Sequence, residues 1–201
     1  YPVSKAWEEY QPVALPEKPA VLDVPGRDQI LKAHRSEVEK YVEAQIYSSV
    51  VALRERIRES NSNQKWVNQL GVVYARYGLY EKALEEFEAI LAEEVYLPAL
   101  LNTGMIHLIR KEYSVARSFF NRAFAAAPED PQVLLSIARV NHELENYGMV
   151  QESYSKLKAL DPKLAEEYAY LAMRGEAAVR AGEISGIRSR SRWIEDDGEG
   201  Q

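Results

Sequence analysis

One residue pattern occurs three times in the middle of this chain. The second copy begins 33 residues after the first, and the third begins 34 residues after the second. In each copy a small residue, an aromatic residue, a second small or medium residue and a second aromatic residue follow at fixed spacing. The copies are Gly71, Tyr80, Ala83, Phe87; Gly104, Tyr113, Ala116, Phe120; and Ala138, Tyr147, Val150, Tyr154. A repeat of this length indicates a stack of similar helical units, each burying an apolar face against the next. We therefore expect an all-α fold.

The repeated positions carry residues that suit the packing of two helices. Gly71, Gly104 and Ala138 leave space for the facing helix to approach, and the large aromatic residue of each copy fills the space beyond. The turn inside the first copy has Gly78, which suits a left-handed conformation, whereas Lys111 and Glu145 take that place later. Those two turns either use another geometry or accept strain.

The first copy, Leu70-Gly71-x-x-Tyr74…Gly78-x-Tyr80-x-x-Ala83-x-x-x-Phe87, resembles the tetratricopeptide repeat (TPR) family. The later copies add its terminal proline, as Pro128 and Pro162. The resemblance covers residues 63–162, as repeats 63–96, 97–130 and 131–162. It implies a right-handed superhelical stack of antiparallel helix pairs, a TPR solenoid with capping helices, and a concave groove that binds a partner.

Helices are predicted wherever the apolar residues recur every three or four positions. Inside the repeats they cover about 64–77, 80–93, 98–111, 114–127, 131–144 and 148–159. A leading segment, 28–62, is predicted to cap the stack as one helix or as a degenerate helix pair bent near Ser48. A C-terminal capping helix is predicted at 163–182, ending at Gly182, because Gly is favoured just past a helix end.

Both ends of the chain are expected to lie outside the stack. Residues 1–27 hold five of the nine prolines, which favours an extended linker. The polar residues 183–201 predict a mostly disordered tail. Within it, Trp193-Ile194 flanked by charges is an alternative docking motif for this groove or a neighbour's. Because the chain begins with Tyr1 and shows no signal peptide, we expect a fragment of a longer protein or a processed chain.

Composition argues against several classes of function. A net charge of −6 and a pI of about 5.3 argue against nucleic-acid binding. The absence of cysteine excludes disulfides and thiolate metal sites, and no apolar run reaches the length of a membrane span. The three histidines lie in separate helices, and Asn146 stands where a zinc helix beginning His142-Glu143 would need its second His. We therefore expect no enzyme activity, no cofactor and no metal.

The stripe of each first helix that faces away from its pair is predicted to line the groove. The candidate partner-groove residues are Lys65, Asn68, Val72, Arg76, Leu101, Asn102, Met105, Leu108, Leu135, Arg139 and His142. An apolar centre with a polar surround suits an extended or helical peptide. Family members that hold a terminal carboxylate use Lys and Asn side chains at five positions. Of the residues here (Asn68, Val72, Asn102, Gln132 and Ser136), only Asn102 matches, which argues against carboxylate capture.

Two hypotheses about function follow from these features. In the first, the chain is a scaffold that binds a protein or peptide in the concave groove. In the alternative, it is a structural or assembly module of a larger bacterial protein, with the groove filled internally and oligomer contacts made through residues 28–60. No signal in the sequence identifies the compartment.

Overall fold

The structure, a computed structural model, describes residues 27–60, 63–184, 186 and 191–196 of the 201-residue chain. All regular elements in these ranges are helices. They are α1 (Arg27–Glu59), α2 (Gln64–Arg76), α3 (Tyr80–Glu93), α4 (Leu97–Ile109), α5 (Tyr113–Ala126), α6 (Pro131–Glu143), α7 (Tyr147–Leu160), α8 (Pro162–Glu167), a 3₁₀ helix (Ala169–Ala172) and α9 (Gly175–Ile184). The linker was predicted at residues 1–27; its residues 1–26 lie outside these ranges, and Arg27 begins α1.

The chain divides into two units, Tyr1–Lys40 and Tyr41–Gln201. The described part of the first unit is the opening half of α1, with an exposed ion pair between Lys40 and Glu37 at 3.1 Å. The second unit contains three consecutive helix pairs, α2/α3, α4/α5 and α6/α7, joined by short turns. The all-α stack of helix pairs predicted from the repeat is confirmed.

In each of the first two helix pairs, a glycine on the first helix lies directly against a phenylalanine ring of the second helix, so the two helices pack closely. A Cβ atom built on Gly71 would lie 2.4 Å from the Phe87 ring, and one on Gly104 would lie 2.4 Å from the Phe120 ring. Both rings are fully buried. No side chain fits at either glycine, because 2.4 Å is far inside van der Waals contact.

The turns inside the three pairs share one geometry, although their sequences differ. Gly78, Lys111 and Glu145 all have positive φ angles, of 77°, 61° and 56°. In each turn the next residue's N–H closes a hydrogen bond to a carbonyl of the preceding helix, at 3.0, 2.9 and 2.8 Å. This is the Schellman arrangement. The later turns therefore do not use another geometry. Lys111 and Glu145 adopt the left-handed conformation, with the steric strain that it brings to a residue other than glycine.

The second half of α1 covers the first helix pair. Ile46 and Leu53 are buried in the same apolar cluster as Phe87, and the Arg54 guanidinium donates to the Tyr74 hydroxyl at 3.3 Å. Lys82 on α3 donates to Glu43 at 2.5 Å. Because α1 is continuous from Arg27 to Glu59, the alternative of a degenerate helix pair is wrong.

The C-terminal cap differs from the single helix predicted at 163–182. α8 ends at Glu167, a 3₁₀ helix follows, and α9 begins at Gly175, whose φ of 58° suits glycine. Gly182 lies inside α9 and does not end a helix. The break allows Tyr168, Tyr170 and Leu171 to be buried in one cluster with residues of α6 and α7. Burial of these large side chains therefore decides the local conformation over helix periodicity.

Candidate peptide-binding groove

Two asparagines lie close together on successive first helices. Asn68 lies on α2 and Asn102 on α4, 34 residues apart, and both are fully buried. The Asn102 side-chain amide donates to the Asn68 side-chain oxygen at 3.0 Å. A buried side-chain amide requires partners for its N–H donors and its oxygen acceptor. The hydrogen bond between the two asparagines supplies only some of these partners.

The remaining partners come from the main chain of Ile194, in the C-terminal tail. The Ile194 N–H donates to Asn102 Oδ1 at 2.8 Å, and its carbonyl accepts from Asn102 Nδ2 at 2.9 Å. The same carbonyl accepts from Asn68 Nδ2 at 3.0 Å. Asn102 therefore pairs with both polar groups of one peptide residue, as a neighbouring strand would. These contacts do not depend on which side chain the residue carries.

The side chains around this main-chain contact lie against the apolar surface of the first two repeats. Trp193 is half-buried, packs against the cores of both repeats, and has its ring centroid 6.4 Å from that of Tyr80. Ile194 packs against the cluster that contains Leu101, Met105 and Leu108. We call residues 193–196 the docked segment, because both its main chain and its side chains are bound.

Charged groups flank the apolar part of the docked segment. Glu195 forms an ion pair with Arg76, at the end of α2. Asp196 accepts a hydrogen bond from the Tyr96 hydroxyl at 2.8 Å. Burial, and secondly this contact with Asp196, raise the pKa of Tyr96, so the hydroxyl remains a donor. Before the docked segment, Arg192 lies 3.5 Å from Glu167.

The third repeat uses the equivalent surface differently. Ser136 stands 34 residues after Asn102, and its hydroxyl donates to the Gln132 carbonyl of its own helix at 2.7 Å. The Arg139 guanidinium lies over the Tyr168 ring at 5.5 Å and donates to the Met105 sulfur at 3.7 Å. His142 meets the edge of Tyr170, with the ring centroids 5.4 Å apart. This part of the stripe is covered by the C-terminal cap.

Comparison with known proteins gives relatives that share this architecture. No family model matches the chain. Over 104 residues, 52% of this chain, it is 25% identical to tetratricopeptide repeat protein 8 of Mus musculus. Over 113 residues, 56% of this chain, it is 26% identical to BBSome complex member BBS4 of Bos taurus. The chain spans about a fifth of these relatives' lengths, 20% and 22%.

Two solved structures have folds similar to that of this chain. One is a tetratricopeptide repeat protein from Parabacteroides merdae ATCC 43184, with a TM-score of 0.55 and 17% identity over 74% of this chain and 61% of that one. MamA 41-end from Desulfovibrio magneticus RS-1 also has a TM-score of 0.55, with 20% identity over 78% of this chain and 89% of that one. The chain has the fold of tetratricopeptide repeat (TPR) proteins.

The TPR stack brings some of the candidate groove residues to the docked segment and leaves others away from it. Asn68, Asn102 and Arg76 bond to it directly, and the remaining apolar candidates on α2 and α4 belong to the clusters against which it packs. Lys65 lies over the Trp66 ring, at 5.5 Å from its centroid. The candidates of the third TPR, Leu135, Arg139 and His142, are buried beside the cap.

Two features of the TPR surface differ from the sequence predictions or were absent from them. The tail was predicted to be mostly disordered, but residues 191–196 are described and 193–196 are bound, which agrees with the alternative of a docking motif. Tyr80 and Tyr96 were not among the candidates, because they lie at the start of α3 and just before α4, outside the stripe. The sequence signal that could have pointed to such partners was Trp193, because an aromatic residue in an otherwise polar tail needs an aromatic or apolar partner.

The described residues of the chain contain no group of three metal-ligating side chains placed to hold an ion. Within the same ranges, no helix combines the length and the apolar character that crossing a membrane requires.

Proposed function

We propose that this chain is a protein-interaction scaffold, without enzyme activity, whose concave surface over α2 and α4 binds an extended peptide segment. The observation that supports the proposal is the pairing of Asn102 with both the N–H and the carbonyl of Ile194. A surface that satisfies a main chain in this way can accept any extended segment, and its pockets then select among side chains.

The similar proteins favour the same class of function. One relative is named as a member of a complex, the BBSome, and two of the similar proteins are named for their repeats. A stack of repeats offers a long surface made of rigid helices, which suits binding to a partner. The fold alone does not identify a partner, so the proposal rests on the groove.

A second candidate function is the structural or assembly module with its groove filled internally. The docked segment itself favours it, because residues 193–196 occupy the surface in this chain. In that case Trp193 and Ile194 are part of the core, and contacts with other chains or copies would use another surface, such as residues 28–60. The two candidates differ in whether an external peptide can replace the tail.

The deciding experiment uses the full chain with a weakened tail. In the double variant Trp193→Ala, Ile194→Ala, we expect a fluorescent peptide with the sequence of residues 191–199 to bind, as measured by fluorescence anisotropy. Adding Asn102→Ala should remove the binding, because both main-chain hydrogen bonds of that residue are lost. Ser136→Ala is the matched control, since its hydroxyl bonds only within α6.

The result that contradicts the scaffold proposal is also clear. If the double variant keeps its helical circular dichroism and yet binds no peptide, the groove is not a site for an external ligand. The module with an internally filled groove would then be the better description.

A further inference from the structure

We infer that the groove selects its external ligands by a four-position pattern, an aromatic residue, an aliphatic residue and two acidic residues, and that the chain's own residues 193–196 compete with them. The partner is therefore an extended segment of another protein with this chemistry. The inference rests on the proposed function and specifies its ligand. It follows from the docked segment, in which each position meets a different kind of protein surface.

The first position is specified by an aromatic site. Trp193 packs against the cores of the first and second repeats at once, and the Tyr80 ring lies beside it. A flat and largely apolar side chain covers such a junction with little loss of conformational entropy. Large aromatic residues in sites of this kind carry much of the binding energy of an interface.

The second position is specified by both main chain and side chain. Asn68 and Asn102 hold the peptide groups of Ile194, which fixes the register of the whole segment. Its side chain packs against the apolar cluster that includes Leu101, Met105 and Leu108. A charged residue here would lose hydration against an apolar surface, which carries a free-energy cost.

The third and fourth positions are specified by groups that favour carboxylates. Arg76 pairs with Glu195, and Tyr96 donates to Asp196. Both contacts are partly exposed to solvent, so each contributes less than the aromatic position. The protein has a net charge of −6, and the Arg76 cation favours an acidic residue at this place against that overall charge.

Competition follows from the covalent attachment of the tail. A segment joined to its own binding surface by a short connection has an effective concentration of about 1 mM. An external segment with the same contacts must exceed that concentration, or make additional contacts, before it replaces residues 193–196. The apparent affinity for any partner is lowered by the fraction of chains in which the groove is occupied.

The test measures a set of peptides against the full-length double variant Trp193→Ala, Ile194→Ala. The parent peptide has the sequence of residues 191–199. Relative to it, we expect a loss of about 30-fold for Trp193→Ala in the peptide and of about 10-fold for Ile194→Asp. Replacing Glu195 and Asp196 by Gln and Asn should cost about 3-fold to 10-fold. As a second receptor we use Ile194→Pro, which removes the N–H donor and keeps Trp193.

A charge exchange tests the third position. Arg76→Glu in the receptor should weaken the parent peptide by about 3-fold to 5-fold. A peptide with Glu195→Lys should recover that loss on the Arg76→Glu receptor while binding the Arg76 receptor more weakly. Lys65→Glu is the matched control, since Lys65 lies over Trp66 and not beside the segment. Equal losses for Arg76→Glu and Lys65→Glu would overturn the specific role of Arg76.

The outcomes separate this inference from the proposed function. If every peptide binds with equal affinity, the main-chain pairing alone acts and the four-position pattern is wrong, while the scaffold proposal stands. If no peptide binds either receptor, the proposed function itself fails. For the competition, we expect the unmodified chain to bind the parent peptide at least 10-fold more weakly than the double variant. Equal affinities would overturn it.

Discussion

The first two repeats and the third have the same helix pairs and turns, yet their inner surfaces contact different parts of the chain. On their first helices the first two repeats have Asn68 and Asn102, and the third repeat has Ser136 at the position of Asn102. The two asparagines reach out to the main chain of Ile194, whereas the serine bonds back to its own helix. The comparison teaches that the repeat conserves helix geometry between copies, while single side chains decide whether a copy binds a segment.

A second difference lies between the helices of each pair. Gly71 and Gly104 leave no room for a Cβ, but the third repeat has Ala138. Its aromatic partner is Tyr154, whose hydroxyl donates to the Ala165 carbonyl of the cap at 2.8 Å. The third repeat therefore uses its aromatic residue to bind the cap, and the first two use theirs to fill the space at a glycine.

The largest expected effect tests the glycines of the first two repeats. Gly71→Ala and Gly104→Ala should each lower the free energy of unfolding by about 2–3 kcal/mol, because the new Cβ overlaps a buried ring. Urea denaturation measures this loss. The matched change in the third repeat, Ala138→Gly, should cost only about 1 kcal/mol, mainly through helix propensity. Equal losses at all three positions would mean that the close approach is not specific to the first two pairs.

The next effect tests the asparagine position itself. Asn102→Ala should release the tail, because it leaves the Ile194 N–H without its acceptor and removes one of the two donors to the carbonyl. We expect trypsin cleavage after Arg192 to become about 10-fold faster, equivalent to about 1.4 kcal/mol. Ser136→Ala should leave the rate unchanged. Fast cleavage in the unmodified chain would contradict a stably bound tail.

A smaller effect tests whether the three turns are equivalent. Lys111→Gly and Glu145→Gly should each stabilise the chain by about 0.5–1 kcal/mol, since glycine adopts positive φ without steric cost. Gly78→Ala should destabilise it by a similar amount, about 1 kcal/mol. Thermal unfolding followed by circular dichroism measures all three. A loss of stability in both glycine variants would show that Lys111 and Glu145 make compensating interactions.

The smallest effect concerns a charge found only in the first repeat, where Glu86 stands at the position of Phe119 and Ser153. Burial raises the pKa of Glu86, and Arg54, at 3.6 Å, opposes the shift. A raised pKa in the folded state means that the charged form is disfavoured by folding, so this penalty falls as the pH falls through that pKa.

For Glu86→Gln we therefore expect a stability equal to or above that of the unmodified chain at pH 7, by less than about 1 kcal/mol. The difference should shrink as the pH is lowered and the unmodified carboxyl takes up its proton. Urea denaturation across this range measures it. A clear destabilisation at pH 7 would show that the ion pair with Arg54 outweighs the burial.

The fold of the repeats could be predicted from sequence because it depends on local periods. Helix spacing, turn residues and the small-to-large pattern all lie within about 34 residues of one another, and each agrees with the others. The stripe that carries Asn68, Asn102 and Arg76 followed from the same period. A C-terminal cap was predicted, but its break between α8 and α9 could not be, because Tyr168 and Tyr170 leave the helical pattern to reach neighbours that the period does not identify.

The sequence by itself determined that this chain is a stack of helix pairs, and which helix faces turn inward. Only the tertiary structure decided that the inner surface is occupied and by which residues. The docked segment has no periodicity, and its partners Asn102 and Asn68 lie 92 and 126 residues away along the chain. Such a contact is governed by complementarity between a main chain, two amides and an apolar surface, which exists only after the repeats have packed.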